Sequence, residues 1–231
     1  GRFRLAGGAR AAGLRVGDDA IFADESGHVR RVSRAGSTVW ETEIGKVVAD
    51  GTSTGDRVWF VTVDGELVDL AVADGEVLFR LSLPAHPRWR SPFHDGDRVY
   101  LGCDDGKLAC VDVSAHRIVW TVDLGAPVFG RVAKVGDHVA AATGSGLHLV
   151  SATTGTTERR MLLGAAPRLG VLALTDGFAA VTETGVMSRF GADGELCWRY
   201  DLQERVVAPL TASGDDIVVA TARGKVLVLS R

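Results

Sequence analysis

The stretch Gly55-Asp56-Arg57-Val58-Trp59-Phe60, a glycine–aspartate turn followed by mostly apolar residues, recurs along the whole chain. Successive copies start 38 to 41 residues apart, the others at Gly17, Gly96, Gly136, Asp176 and Gly214. A fixed period of about 40 residues in a chain rich in short strands is typical of a β-propeller, in which each repeat forms one four-stranded blade. The six copies therefore predict an all-β fold with six blades of antiparallel strands.

Each repeat contains glycine-rich turns that separate four predicted short strands. The fourth repeat is a clear example. An apolar stretch at 128–133 precedes the Gly136-Asp137 turn, and a strand then runs over 138–143. The Gly144-Ser145-Gly146 turn leads into a third strand, and the last strand ends at Leu163. Alternating apolar residues between glycine-containing turns favour strands joined by hairpins.

The repeat spacing also predicts the domain organisation. We expect a single propeller domain over residues 1–231, with blades at about 6–44, 45–83, 84–124, 125–163, 164–202 and 203–231. The sixth repeat stops after its third strand, and Leu5 stands 12 residues before Gly17 as Leu124 does before Gly136. Residues 1–5 are therefore predicted to form the fourth strand of the sixth blade. Such a closure leaves no open sheet edge between the first and last blades.

Composition argues against several functional classes. The net charge of −3 provides no global attraction to nucleic acid or to anionic membranes. No run of about 18 apolar residues is present, so we predict no direct membrane insertion. The three cysteines argue against a disulfide framework, and no histidine lies at a ligand spacing from a cysteine, so we predict no metal site. The first residue is Gly1 rather than methionine, and we interpret the sequence as a monomeric domain of a larger protein.

The third repeat carries the phrase Cys110-Val111-Asp112-Val113-Ser114-Ala115-His116-Arg117-Ile118-Val119-Trp120. It resembles the tryptophan-docking repeat of the quinoprotein-type, or PQQ-like, β-propellers. In that repeat a small residue is followed two positions later by an aspartate, then by a turn and a closing tryptophan. The equivalent aromatic positions are Trp40, Phe79 and Trp198, and the fourth repeat has Arg159 instead. The resemblance implies that these aromatic side chains are structural and pack between neighbouring blades.

The resemblance is greatest to the non-enzymatic members of this family, such as an outer-membrane assembly lipoprotein and the propeller sensor domains of bacterial kinases. The resemblance also extends to the quinone-dependent dehydrogenases, which are eight-bladed relatives. These enzymes have a calcium-bound cofactor and a disulfide between adjacent cysteines. This chain has six repeats and no adjacent cysteines, so we predict no cofactor and favour a non-enzymatic role. The resemblance implies a domain of a larger bacterial protein, either cytoplasmic or extracytoplasmic.

Basic residues recur near the start of the first strand of several repeats. Lys46, Arg88, Arg168 and Arg205 stand eight or nine residues before the turns of repeats two, three, five and six. The first strands of a propeller line its central channel, so these cations would surround one mouth. A ring of cations suits an anionic ligand or an acidic peptide. The alternative is a solvated rim of ordinary surface charges, which acids such as Glu204 would dilute.

The third repeat departs from the others at the start of its first strand. His86, Arg88, Trp89 and Arg90 stand there, where the other repeats have small apolar residues. A tryptophan between two arginines is typical of interaction hot spots. The alternative is that Trp89 fills space left by smaller neighbours. His86 and His94 are the only histidines close in sequence, and no carboxylate is placed beside them, so they do not predict a metal pair.

These features support one leading hypothesis and leave two alternatives open. We predict a non-catalytic binding, scaffold or sensor module that presents one face to a protein, a peptide or a small anionic ligand. The candidate binding residues are His86, Arg88, Trp89, Arg90, Lys46, Arg168 and Arg205. The alternatives are an enzyme or accessory domain with a small-molecule site at the channel mouth, and a structural spacer. No serine-nucleophile, phosphate-binding or zinc motif is present in the sequence, so no catalytic residue is predicted.

Overall fold

The computed structural model describes residues 13–84, 90–214 and 216–229. Within these ranges the chain forms 23 β-strands, and that part of it contains no helix that could span a membrane. The strands form six sheets, and neighbouring strands of each sheet follow one another in the chain. The prediction of an all-β fold with six blades is therefore confirmed.

Sheets 1 to 3 contain four strands each. Sheet 1 consists of β1 (Leu14–Val16), β2 (Asp19–Ala23), β3 (His28–Val32) and β4 (Thr38–Glu43). Sheet 2 consists of β5 (Thr52–Ser53), β6 (Arg57–Val61), β7 (Glu66–Ala71) and β8 (Val77–Ser82). Sheet 3 consists of β9 (Phe93–Asp95), β10 (Arg98–Gly102), β11 (Lys107–Asp112) and β12 (Arg117–Asp123).

Sheets 4 and 5 also contain four strands, and sheet 6 contains three within the described residues. Sheet 4 consists of β13 (Val128–Val135), β14 (His138–Thr143), β15 (Gly146–Ser151) and β16 (Thr157–Met161). Sheet 5 consists of β17 (Leu172–Leu174), β18 (Gly177–Val181), β19 (Val186–Gly191) and β20 (Leu196–Asp201). Sheet 6 consists of β21 (Thr211–Ser213), β22 (Asp216–Ala220) and β23 (Val226–Leu229). Residues 1–5, the predicted fourth strand of sheet 6, lie outside the described residues.

The chain divides into two compact units, Gly1–Val99 with Val111–Ile118 and Tyr100–Cys110 with Val119–Arg231. In the first unit, side chains of sheets 1 and 2, such as Ile21 and Phe60, form one apolar core. In the second unit, Leu147 and Phe178 belong to a core shared by sheets 4 and 5, and another core joins sheets 5 and 6. Consecutive side chains of a strand point to opposite faces, so a sheet packed on both faces is built from nearly continuous apolar runs.

The repeated tryptophan makes the same contact in both units. The indole Nε1 of Trp40 donates to the carbonyl oxygen of Val72 at 2.8 Å, and that of Trp120 donates to Ala152 at 3.0 Å. Each indole lies on a glycine in the turn between the third and fourth strands of the following sheet. A Cβ added at Gly75 would stand 2.6 Å from the Trp40 ring, which explains why glycine is required there.

Two repeats replace this tryptophan–glycine contact with other pairs. Arg159 donates from Nη1 to the carbonyl oxygen of Asp193 at 3.0 Å, in place of an indole. Phe79 stacks on His116 with ring centroids 4.2 Å apart, and His116 has a positive φ of 52°, in the region that Gly75, Gly155 and Gly194 adopt at the equivalent turns. The smaller aromatic ring of Phe79 leaves room for the larger imidazole. The aromatic positions are therefore structural, as the family resemblance implied.

In sheets 1, 2 and 5 a buried side chain before the turn between the second and third strands caps that turn. Thr62 and Thr182 accept a hydrogen bond from the backbone N–H four residues later, at 3.2 and 3.0 Å. Asp24 takes this position in sheet 1 and accepts from the N–H of His28 at 3.1 Å. Its carboxylate is fully buried and pairs with Nη1 of Arg30 at 2.5 Å. Burial opposes ionisation of Asp24, but hydrogen bonds from Ser26, Arg30 and two backbone N–H groups outweigh it and lower its pKa well below the usual value.

We expect this carboxylate to contribute stability only where it is ionised. Because the pKa of Asp24 is lower in the folded state, its contribution is present above about pH 4 and is lost as the pH falls below that. The double variant Asp24→Thr/Arg30→Met replaces the pair by the threonine cap of other repeats and an apolar side chain. It also removes Arg30 Nε from its 2.8 Å contact with Oε2 of Glu41, a carboxylate that is 43% exposed and is then solvated by water. Its free energy of unfolding should stay within about 1 kcal/mol of wild type at neutral pH. Urea titrations between about pH 2 and pH 4 should show a flatter pH dependence than wild type, and equal slopes would contradict the assignment.

Several sheets carry an ion pair between their second and third strands. Sheet 1 pairs Arg31 Nη2 with Asp19 Oδ2 at 2.7 Å, and sheet 2 reverses the order by pairing Arg57 with Asp69. Asp69 is fully buried, and its Oδ1 has no hydrogen-bond partner among the described residues. The Arg57 guanidinium also lies 5.6 Å from the centre of the Trp59 ring. Burial raises the pKa of Asp69, although the hydrogen bond and charge of Arg57 oppose the shift.

Candidate interaction surface

Three of the predicted binding residues, His86, Arg88 and Trp89, lie outside the described residues. Arg90 is half-buried three residues before β9 begins and interacts with other groups of the chain. The predicted binding character of this segment therefore stays a prediction, and the site is built below from the described residues.

Lys46 and Arg205 occupy equivalent backbone positions in the two units. The carbonyl oxygen of Lys46 accepts from the N–H of Val63 at 2.8 Å, and that of Arg205 accepts from the N–H of Ala222 at 2.8 Å. These bonds hold each residue beside the turn between the second and third strands of its sheet. Both residues are exposed, and neither side chain has an ion-pair partner within the described ranges. Their charges are therefore available to a partner.

Glu204 does not neutralise the neighbouring Arg205. Its Oε1 lies 2.5 Å from Nζ of Lys225 and 3.7 Å from Nη1 of Arg223. The hydrogen bond from Lys225 lowers the pKa of Glu204, so the carboxylate is ionised and already paired. Glu204 was expected to weaken the positive charge of the predicted binding residues, but it neutralises Lys225 and Arg223 instead.

Arg168 is held more firmly than the other predicted cations. Its Nε lies 2.6 Å from Oε2 of Glu183, and its guanidinium carbon lies 5.0 Å from the centre of the Phe129 ring. The side chain is still 58% exposed. The carboxylate and the ring orient the guanidinium, so Arg168 has a structural role.

A cavity of about 270 Å³ lies in the second unit, between the β14–β15 turn and the segment that follows β16. We call it the small-residue pocket, and its lining is Gly144, Ser145, Gly146, Leu162, Leu163, Gly164, Ala165 and Ala166. Two arginines touch its walls. Arg160 donates from Nη2 to Oγ of Ser145 at 3.1 Å, and Arg199 donates from Nη2 to the carbonyl oxygen of Leu163 at 2.7 Å.

The corresponding charges in sheets 1 and 2 are paired within their own sheet. Arg80 on β8 lies 3.0 Å from Glu66, the first residue of β7. Glu41 on β4 lies 2.8 Å from Nε of Arg30 and 3.8 Å from Nε2 of His28, both of which are on β3. In sheets 4 and 5 the first residue of the third strand is Gly146 or Val186, which carries no charge. Arg160 and Arg199 consequently have only neutral partners among the residues that the structure describes.

The sequence-based prediction missed Arg160 and Arg199 because it compared only the residues near the start of the first strand of each repeat. The signal was present in the repeat alignment. Each arginine directly follows the tryptophan-docking position, and the acid that accompanies Arg80 is absent from the fourth and fifth repeats. The loss of a counter-charge from a repeated pair is visible only when two strands are compared together.

A buried histidine lies beneath one wall of this pocket. His148 is 2% exposed, and its Nε2 lies 3.3 Å from Oγ of Ser145. Burial and the nearby charge of Arg160 lower the pKa of His148 to about 4, so the imidazole is neutral near pH 7. Its Nδ1 is buried and has no partner in the described part of the chain. The contact therefore lacks the carboxylate that orients the histidine of a serine nucleophile.

A second cavity, of about 670 Å³, lies in the first unit. Its charged lining residues are Arg15 and Arg34 together with Asp18 and Asp19, so it favours neither sign of ligand charge. Among the described residues, no group of three or more histidine, cysteine, aspartate or glutamate side chains could hold a metal ion.

Comparison with known proteins identifies the repeat. A PQQ-like family model, described as outer membrane protein assembly factor BamB, matches residues 25–170 and 147–231. The structure superposes on BamB from Moraxella catarrhalis with a TM-score of 0.83 and 19% identity, over 98% of this chain and 71% of that chain. It also superposes on the computationally designed Ika8 protein with a TM-score of 0.84 and 14% identity, over 96% of this chain and 71% of that chain. No curated protein matches the sequence. At these identities the structural likeness establishes the β-propeller fold.

Proposed function

Because the chain belongs to the PQQ-like family described as outer membrane protein assembly factor BamB, we propose that it is a non-catalytic scaffold that binds a protein partner. The observation that carries the proposal is the exposure of Lys46 and Arg205 at equivalent positions, each without an ion-pair partner among the described residues. The family description supports a partner that takes part in outer-membrane protein assembly. The domain would act as a monomeric module of a larger bacterial protein.

The charges of these residues favour an acidic partner. The chain as a whole carries a net charge of −3, so attraction has to come from local cations. Exposed cations without counter-ions steer an acidic surface during encounter and fix its orientation. Arg88, Trp89 and Arg90 would add an aromatic anchor between cations at the same position of the third repeat, which is the composition of an interaction hot spot.

Affinity capture from a lysate of the source organism tests this proposal. We expect the wild-type domain to retain an acidic protein that the Lys46→Glu/Arg205→Glu variant retains at least about tenfold less, because reversing two charges turns attraction into repulsion. The matched control is Arg34→Glu/Arg117→Glu, which changes the same charge at an exposed turn residue after β3 and at the exposed first residue of β12. Arg88→Glu/Trp89→Ala extends the test to the third repeat.

Equal retention by the two charge-reversed variants would contradict the proposed surface. The affinity of the captured protein, once purified, should also fall as salt is raised, because exposed charges are screened within about 10 Å at 0.1 M ionic strength. Retention of no specific protein by the wild-type domain or by any variant would favour the spacer or small-ligand alternatives.

A further inference from the structure

We propose that the small-residue pocket, together with Arg160 and Arg199, is a docking site for an acidic segment of a partner protein. The segment would insert one bulky apolar side chain, leucine or phenylalanine, into the pocket and place carboxylates on either side of it. This inference rests on the proposed function in that the partner is a protein. It names a site separate from Lys46 and Arg205.

The size and lining of the pocket fit a single apolar side chain. Its volume of about 270 Å³ is below the range of about 300–1,000 Å³ that pockets for whole small molecules occupy. Ser145 is the one polar side chain in the lining, and the other lining residues are glycine, alanine and leucine. Leu162, on the rim, is 80% exposed and offers apolar surface to an incoming side chain.

The backbone keeps this pocket open. Gly146 has a φ of +126°, and a Cβ there would stand 2.4 Å from the carbonyl oxygen of Met161. Gly164 has a φ of +81°. Both walls therefore depend on glycine conformations that other residues rarely adopt, and no side chain from these positions fills the space. A pocket that exists before binding lowers the entropic cost of docking.

The charges at the pocket define the rest of the ligand. Arg160 and Arg199 are both exposed, and each donates to a neutral oxygen on a different wall. Each guanidinium has five N–H donors, so one hydrogen bond leaves others free for a carboxylate. Arg80 occupies the same strand position in sheet 2, where it forms an ion pair with Glu66. The fourth and fifth repeats lack that acid, which leaves two cations for an external anion.

A protein segment can pair with both arginines and fill the apolar cavity at the same time. A single small anion would leave the apolar cavity empty. An apolar side chain without flanking acids would fill the cavity and leave both cations unpaired. Carboxylates on each side of a leucine supply charge-assisted hydrogen bonds to both arginines and bury the apolar side chain between them.

The test uses the full chain and a synthetic fluorescein-labelled peptide, Ser-Asp-Glu-Leu-Glu-Asp-Ser, with binding followed by fluorescence anisotropy at low salt. We expect a variant peptide with alanine in place of leucine, and another with serine in place of the acids, to bind more weakly. Arg160→Gln/Arg199→Gln should weaken binding of the leucine peptide by about tenfold or more. Arg80→Gln is the matched control and should leave the affinity unchanged, because its position is not at the pocket.

A second variant separates the apolar contact from the charges. Ala165→Leu would fill the pocket while keeping both arginines, so it should remove the preference for the leucine peptide over the alanine peptide. Circular dichroism of each variant checks that the strands are intact. The proposal is overturned if leucine and alanine peptides bind wild type equally, or if Arg160→Gln/Arg199→Gln binds like Arg80→Gln.

These outcomes are distinguishable from failure of the proposed function. A captured partner that depends on Lys46 and Arg205 but binds Arg160→Gln/Arg199→Gln normally would keep the scaffold role and refute this pocket. Peptide binding that depends on the pocket, with no captured partner that depends on Lys46 and Arg205, would support the pocket and refute the proposed role of Lys46 and Arg205.

Discussion

We expect Arg57→Met to lower the free energy of unfolding by about 3–5 kcal/mol at neutral pH, which is the usual cost of removing one partner from a buried ion pair. Asp69 is fully buried, and Arg57 is its counter-charge. The variant leaves the carboxylate either ionised without a partner or protonated at a cost. Guanidinium chloride titration at about pH 7 measures the loss directly.

The loss should depend on pH in a defined direction. Burial already raises the pKa of Asp69 above its ordinary 3.8 in the wild-type protein, and Arg57 opposes that rise. Without Arg57 the folded-state pKa rises further. A carboxyl group whose pKa is higher in the folded state destabilises the fold when the pH is above that pKa, and the penalty disappears as the pH falls through it. The deficit of Arg57→Met should therefore shrink between about pH 7 and pH 4.

Two matched variants show whether burial causes the effect. Arg31→Met removes the reversed pair of sheet 1, where the Asp19 side chain is 18% exposed, and should cost only about 1 kcal/mol. Arg57→Met/Asp69→Leu removes both charges and should regain most of the stability that the single variant loses. If Arg57→Met unfolded at the wild-type denaturant concentration at neutral pH, the buried pair would not be the stabilising contact inferred here.

The repeat-level features of the fold could be predicted because they depend on local chemistry. The strand after each glycine–aspartate turn begins within two residues of it, at Asp19, Arg57, Arg98, His138, Gly177 and Asp216. Turn glycines are fixed by the backbone angle they must adopt, and strands by alternating burial. Trp40 and Trp120 were assigned a structural role from the phrase that contains them, and both pack on a turn glycine.

The side-chain partners could not be predicted, because they depend on how strands are paired. The third and fourth strands of sheets 1, 2, 4 and 5 shift register by one residue, as between Arg31 and Val32 in sheet 1. A one-residue shift changes which side chains lie opposite each other. The pairing of Arg80 with Glu66 depends on how these strands are paired, and it is absent at Arg160 and Arg199 because Gly146 and Val186 take the place of the acid. The binding roles predicted for Arg88, Trp89 and His86 stay predictions.

We expect Trp120→Ala to destabilise the protein by about 3–5 kcal/mol, the range for removing a large buried aromatic side chain. Trp120 is 9% exposed, donates to Ala152 at 3.0 Å and packs beside Tyr100 with ring centroids 6.0 Å apart. The alanine variant would leave a cavity over Gly155 and an unpaired carbonyl oxygen. Thermal or chemical unfolding measures the loss. Trp198→Ala is the matched control, because Trp198 is half-buried, and it should cost less.

The third repeat provides a rescue for this contact within the same chain. Phe79 and His116 show that a smaller ring and a turn histidine can replace tryptophan and glycine. Trp120→Phe should therefore destabilise the fold, and adding Gly155→His should recover part of that loss. The φ of Gly155 is +75° and that of His116 is 52°, so the imidazole can adopt a similar backbone conformation. A double-mutant cycle measures the coupling, which should favour the pair by about 0.5–3 kcal/mol. Simple additivity of the two substitutions would show that ring and turn residue do not act together.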